Sequence, residues 1–372
     1  MKDKKLLSLC MIVRNEETFI ENCLNCVKDV VDEMIIVDTG STDNTVEICK
    51  SAGAIVLHRD WEDNFAVARN HGLDHAKGDW IFWLDADEEV EKEDAEKLRD
   101  LLTETEEHIA GIQLINYYGS YPIQPDNAYL VNHHRLFRNH MGFRFKNRIH
   151  EQLNIQEVLG NVDDFITFPV KVYHYGYLND ITTKKDKHKR NIQILKKMRQ
   201  EGSTDPWIDY HLANEYYRKQ KHKKAFQYVN EAILKFIQKQ QTPPSLLYKL
   251  KYEILITLNS FEGAWPAIDK AIALYPDYVD LHLYKGLIFI GQKKYEKAIK
   301  VFQHCLFLGE NNLHHLTLKG AGSFQAWYYI GKCYIQLGQI EKATLALKTC
   351  LEQSHDHQLA KEELEKIKNP SK

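Results

Sequence analysis

The feature that most restricts the fold is a change of hydrophobic period partway along the chain. In the first half, short runs rich in Val, Ile, Leu and Trp occupy 7–13, 33–38, 54–58 and 80–84, with helical patterns at 17–28, 42–51 and 66–76 between them. Strands alternating with helices of about ten residues predict βαβ units and a mostly parallel central sheet with helices on both faces. Ser41-Thr42-Asp43 offers N-capping oxygens to the second helix, and Ala52-Gly53 offers its stop. From about Pro206 the strand signal ends and helix follows helix.

That second half repeats. Ala225, Ala264, Ala298 and Ala343 recur at spacings near the roughly 34 residues of a tetratricopeptide repeat, with insertions. The last copy reads Trp327-x-x-Ile330-Gly331-x-x-Tyr334, then Ala343, Leu347 and Cys350. Small residues let paired helices approach while aromatics fill the gaps, and stacked pairs build a solenoid. The segment 358–367 has the polarity of a capping helix. Such arrays bind peptides or partner proteins, or dimerise, so a homodimer is one expectation. Between the halves, 184–199 is strongly basic; Ile192, Leu195 and Met198 at helical spacing predict a solvated connecting helix with one packed face. The 372 residues thus divide into an α/β domain at 1–180, a basic linker helix at 181–204 and an all-α repeat domain at 205–372.

Ligands of open α/β sheets sit outside the carboxyl ends of the strands. Arg14-Asn15-Glu16, Asp38-Thr39-Gly40-Ser41 and Asp85-Ala86-Asp87 all fall at such ends, so three polar clusters converge on one edge. The third closes the apolar run Ile81-Phe82-Trp83-Leu84 and is followed by Glu88 and Glu89. Hard carboxylate oxygens in such a cluster suit Mg²⁺ or Mn²⁺, which in turn grips a diphosphate. The chemistry expected is therefore on a nucleotide-activated substrate.

Composition narrows the alternatives. A formal charge of −3 argues against a nucleic-acid partner. No apolar run is long enough to span a bilayer, and 6–13 is too short for a signal peptide, so the expected location is cytoplasmic, or peripheral at the inner face of a membrane. The seven cysteines form no dense framework and fit reduced thiols. Cys23 and Cys26 have CxxC spacing, but they fall within a helical pattern and no second ligand pair accompanies them. P-loop and GxGxxG signatures are absent.

The ordered motifs MIVRNEE, IIVDTGSTDNT, FAVARNHG, WLDADEE, RLFRN, RIHEQL and VYHYGY resemble those of family 2 glycosyltransferases of the GT-A fold, over about the first 180 residues. With the repeats, the chain is similar to a soluble branch that includes bacterial peptide S-glycosyltransferases and lipopolysaccharide-core glycosyltransferases. It lacks the Gln-x-x-Arg-Trp motif and membrane spans of processive synthases, which implies addition of one or a few sugars. The resemblance implies a metal-dependent, inverting transfer from a UDP-sugar to a peptide side chain, a glycan or a lipid-linked saccharide, with the repeats steering the acceptor.

Residue roles follow. Val13, Arg14, Asn15 and Glu16 line the uracil or ribose; Asp38 accepts from the base N–H, and Gly40 lets the chain turn close to the ligand. The resemblance places Arg69 facing the base or diphosphate, with a structural salt bridge as the other reading. Asp85 and Ala86 line the nucleotide, with Asp85 reaching the ribose or a metal-bound water; Asp87 meets Mn²⁺ or Mg²⁺ directly. His174, between Tyr173 and Tyr175, resembles the distal metal ligand, and a nitrogen ligand favours Mn²⁺. Glu151 is the expected catalytic base and His150 its competitor, at a place where relatives more often carry Glu-Asp. Arg135, Arg138 and Arg148 have phosphates, an acidic acceptor or ordinary ion pairs as their expected partners. Two other classes compete with this reading. A sugar-phosphate nucleotidyltransferase would carry a glycine-rich loop after the first strand, which MIVRNEE lacks. A non-catalytic repeat scaffold with a degenerate transferase domain could have lost Asp85, Asp87, Glu151 or His174, and all four are present.

Overall fold

The computed structural model describes residues 5–160, 165–178 and 187–369. The expected border at 180 and the basic residues 184–186 lie outside them, as does the charged start at 1–4. By internal contacts the described chain forms two units. One comprises Met1–Ile123 and Val131–Ile194, the other Gln124–Leu130 and Leu195–Lys372.

The first unit is built on the strands β1 (Leu7–Val13), β2 (Glu33–Asp38), β3 (Ile55–His58), β4 (Trp80–Trp83), β5 (Glu88–Val90), β6 (Ile109–Gly119), β7 (Ala128–Arg138, whose first residues belong to the other unit) and β10 (Thr167–Leu178). Their order is β3-β2-β1-β4-β7-β6-β10-β5. The four N-terminal strands are mutually parallel, as the alternation with helices predicts. Beyond them the sheet is mixed: β7 runs antiparallel to β4, and β5 antiparallel to β10, while β10 lies parallel to β6. A short ribbon of β8 (Phe145–Lys146) and β9 (Gln152–Leu153) stands apart from the sheet.

Side-chain alternation assigns each strand's residues to one of two layers. Leu7, Leu9, Met11 and Val13 of β1, with Trp80, Phe82 and Leu84, pack against α1 (Ile20–Val27) and the Ala95, Leu98 and Leu102 face of α4 (Lys92–Glu104). Cys10, Ile35, Ile81 and Trp83 face the opposite layer, which holds Ala66 and Leu73 of α3 (Phe65–Leu73). Both faces of β1, β2 and β4 are covered, so these strands are largely apolar.

A helix start explains one departure from the sequence reading. Helix α2 (Thr45–Ser51) begins three residues later than expected because Asp43 Oδ1 accepts from Thr45 N at 3.1 Å, forming a turn ahead of the helix in place of a cap from 41–43. Its end is as expected, with Gly53 at φ +85°. Helix α3 is capped by Asn64, whose Oδ1 accepts from Val67 N at 3.2 Å.

The second unit is a run of helix pairs: 206–218 with 222–238, 245–257 with the broken 261–264 and 268–274, 279–291 with 295–308, and 324–336 with 340–353, closed by Gln358–Lys368. Ala225, Ala264, Ala298 and Ala343 are all 0% exposed. A Cβ on Gly331 would lie 2.8 Å from Leu347 Cγ, and one on Gly286 would lie 2.3 Å from the Phe302 ring. The helices touch at the small residues that mark the repeat. The extra length between Ala298 and Ala343 holds a short strand, β11 (Thr317–Leu318), which pairs antiparallel with Tyr129 and Leu130. Asp280, fully buried, receives Leu318 N at 3.1 Å and the Lys249 ammonium at 2.5 Å. Among the described residues no helix is long and apolar enough to cross a membrane.

Candidate active site

The carboxyl ends of β1 and β2 are joined by their loops. Val13 pairs in register with Asp38, and Thr39 N donates to Val13 O at 3.0 Å. Asn15, at φ +55°, accepts from Thr42 N at 2.8 Å, while Asn15 N donates to Ser41 Oγ at 3.0 Å. Glu16 N donates to Thr45 Oγ1 at 2.8 Å. Arg14 is exposed and Val13 is buried beneath it. The Asp38 carboxylate, 3% exposed, accepts from Gly40 N at 3.2 Å and Ser41 N at 3.0 Å, with His58 Nδ1 at 3.3 Å. Gly40 takes φ +99° and its surroundings are open, so glycine meets a backbone demand there. The 13–16 and 38–42 loops therefore form one hydrogen-bonded rim.

The strand parity of β4 dictates the next corner. Ile81 and Trp83 face α3, and Asp85, two further on, meets Arg69 of that helix: Nη2 donates to Asp85 Oδ1 at 2.6 Å. The same guanidinium donates from Nε to Glu151 Oε1 at 2.5 Å. Arg69, 7% exposed, also stacks over Trp83 with its Cζ 4.5 Å from the ring centre, while Arg135 lies over Trp83 at 3.7 Å. Arg69 thus forms two salt bridges, and it brings the acid of the Asp-x-Asp turn and the expected base onto one side chain. Burial opposes the charge on Asp85, but Arg69 and Arg135 outweigh it and hold the carboxyl below its ordinary range. Ala86 has the opposite parity and packs with the α1 layer.

Glu88 is the acid the sequence reading left without a role. It is 0% exposed; its Oε2 accepts from Asp85 N at 2.9 Å, its Oε1 from Arg135, and its N donates to Asp85 O at 3.1 Å. Burial is the largest influence on it and raises its pKa against the pull of Arg135. Glu88 and Arg135 therefore clamp the Asp-x-Asp turn from inside. Of the other two arginines, Arg138 donates to Thr105 O at 3.0 Å and lies over Trp80, and the main-chain O of Arg148 accepts from Phe65 N at 2.8 Å.

Asp87 and His174 meet through sheet register. Strand β5 pairs with β10 so that Glu88 opposes His174, and Tyr175 N donates to Asp87 O at 3.0 Å. His174 Nε2 lies 3.6 Å from Asp87 Oδ1, longer than a hydrogen bond. Burial opposes a charge on the ring, but Asp87, Glu88 and Asp85 outweigh it and raise the His174 pKa. Carboxylates that favour a proton there favour any cation in the same place. Among the described residues no three His, Cys, Asp or Glu side chains gather as a complete metal cage. The Asp87 carboxylate and the His174 imidazole have the donor chemistry to form part of a Mg²⁺- or Mn²⁺-type site, and a Cβ on Gly176 would fall 2.4 Å from Asp87 Oδ2 and 2.5 Å from His174 Nε2. That space is open only because residue 176 has no side chain. His150 stands beside Glu151 at φ +53°. Cys23 and Cys26 are ordinary helix thiols, with Cys26 Sγ donating to Cys23 O at 2.9 Å.

The chain is similar to known proteins in both halves. Residues 8–174 match the family profile described as Glycosyl transferase family 2, and residues 324–357 match the tetratricopeptide repeat. A TPR repeat-containing protein of Synechococcus elongatus is 33% identical over 283 residues, covering 74% of this chain and 67% of that protein. The SPbeta prophage-derived glycosyltransferase SunS of Bacillus subtilis is 28% identical over 296 residues, covering 77% of this chain and 68% of the relative. Among solved structures, S. aureus TarS 1-349 aligns with 15% identity and a TM-score of 0.39, over 66% of this chain and 86% of that one.

Proposed function

Because the chain belongs to glycosyl transferase family 2 and carries tetratricopeptide repeats on the same polypeptide, we propose that this glycosyltransferase moves a sugar, with inversion, from a UDP-sugar to an acceptor engaged by the repeats. The observation that carries the reading is the Arg69 bridge. It holds Asp85 of the Asp-x-Asp turn and Glu151 on one guanidinium, and Asp87 and His174 lie just beyond that turn.

The uridine occupies the rim formed by Val13, Arg14, Asn15, Glu16, Asp38 and Gly40. Asp38 has its loop amides as partners, so it recognises the base through its remaining acceptor capacity. Asp85 and Ala86 line the ribose side. Asp87 and His174 would hold a divalent cation, Mn²⁺ or Mg²⁺, which when bound supplies charge neutralisation for the departing diphosphate. Glu151 takes the acceptor's proton on the oxygen turned away from Arg69 as the acceptor attacks from the face opposite the diphosphate. Arg69 holds that carboxylate in place and keeps Asp85 ionised. His150 supports Glu151 from the adjoining position. The acceptor is a peptide side chain, a glycan or a lipid-linked saccharide. Seven free thiols, mostly buried, are in keeping with a reducing compartment, the cytoplasm.

A donor screen tests this. The full chain is incubated with UDP- and GDP-sugars and Mn²⁺, with nucleotide release as readout. Slow release of UDP from a UDP-sugar is expected, stopped by EDTA and by Asp87→Asn. Glu151→Gln is expected to retain UDP binding while transfer falls about 10²–10⁴-fold. Undiminished turnover by Asp87→Asn removes the cation reading, and undiminished transfer by Glu151→Gln moves the base to His150.

A further inference from the structure

Two residues that carry neither acid nor imidazole shape the corner between Asp87 and His174. The first is Asn116 on β6, 5% exposed and opposite His174 in the parallel register of β6 and β10. Its Oδ1 lies 2.8 Å from His174 Nδ1. A carbonyl oxygen can only accept, so the Nδ1 proton donates to it. In the neutral ring the lone pair then resides on Nε2, the nitrogen that faces Asp87.

The second is Gly176. Its φ lies outside the left-handed region, so the backbone makes no demand for glycine. The demand is spatial: any side chain would occupy the gap bounded by Asp87 Oδ2 and His174 Nε2. Neither neighbour is placed to swing aside. Asp87 is 6% exposed with its main chain tied to Tyr175, and the imidazole is fixed by Asn116.

We infer that Asn116 and Gly176 are positioning residues of the divalent-cation site, the one fixing the tautomer and direction of His174, the other keeping the space between the two ligands open. The inference rests on the reading of Asp87 and His174 as ligands. Its physical basis is general: a ligating histidine whose second N–H is anchored presents its lone pair without losing ring orientation. Diphosphate oxygens and water would supply the rest of such a cation's coordination.

The test is the Mn²⁺ dissociation constant of the full chain in saturating UDP, from the electron paramagnetic resonance signal of unbound Mn²⁺. UDP affinity in EDTA and circular dichroism are measured in parallel. Asn116→Leu is expected to weaken Mn²⁺ binding about 10–100-fold with UDP affinity in EDTA unchanged. Asn116→Asp, which keeps an acceptor at the same reach, is expected to bind at least as tightly as the unaltered chain. Gly176→Ala keeps every ligand yet is expected to bind about 5–150-fold more weakly, the range set by overpacking. Should Asn116→Leu fail to fold, Asn116→Ser replaces it with the same expected loss. If His174→Ala binds Mn²⁺ as tightly as the unaltered chain, the ligand reading itself fails. If His174→Ala weakens binding while the Asn116 and Gly176 variants do not, the ligands stand and this inference is overturned.

Discussion

Arg69 directs Nη2 to Asp85 and Nε to Glu151, a geometry open to a planar guanidinium and closed to an ammonium. Arg69→Lys keeps the charge and loses one of two charge-assisted bonds, so stability is expected to fall by about 1.5–3 kcal/mol. Arg69→Met leaves two acids without their cation, and about 3–5 kcal/mol is expected. Urea titration of both variants separates the cases; equal midpoints for the two would mean that the fork, not the charge, matters. At this scale much was legible in the sequence. Asp85, Asp87, Glu151 and His174 stand out by residue type, because few side chains can bind a cation or take a proton. Asn116 did not stand out: its relevance depends on register with a strand 58 positions away, and no local pattern reveals that. Glu88 was visible as an acid, but only burial against Arg135 shows that it clamps the turn.

The amino-terminal edge of the sheet, opposite the candidate site, depends on one carboxylate. Glu33 of β2 receives Lys5 Nζ at 2.6 Å, Ser8 Oγ at 2.6 Å and Lys77 N at 2.5 Å, joining the starts of β1 and β2 to the turn before β4. Burial opposes its charge, but these donors outweigh it and lower its pKa. A depressed carboxyl contributes stability above its unfolded value, near ~4.3, and that contribution is lost as pH falls through the folded value. Melting temperature between pH 3 and 6 is therefore expected to fall more steeply for the unaltered chain than for Glu33→Gln; parallel curves would refute the clamp. Elements were the most legible level. β1 and β2 match the sequence reading at both ends because apolar runs stop at polar residues. The start of α2 was misplaced because Asp43 has two uses, cap or turn, and only the fold decides between them. The antiparallel strands β5 and β7 were hidden for the same reason: strand composition does not carry direction.

At the scale of the molecule, the repeat unit is not contiguous in sequence, since Gln124–Leu130 belongs with Leu195–Lys372. Lys319 donates to Pro125 O at 2.8 Å, Ser354 Oγ to Asp126, and Thr317 and Leu318 pair with Leu130 and Tyr129. The change of period near Pro206 could not reveal this, because a short stretch inside the α/β half shows no helical-repeat pattern. A fragment of residues 1–194 would carry this stretch without its partners, and a bare strand edge invites pairing between chains. Such a fragment is expected to associate with rising concentration in light scattering, and a stable monomer would contradict that. Modularity is the wider issue. Exchanging the helical array between relatives, in the hope of redirecting acceptor choice, requires moving this seven-residue insert along with it. A chimera joined at a single crossover would inherit mismatched halves of one interlocked seam.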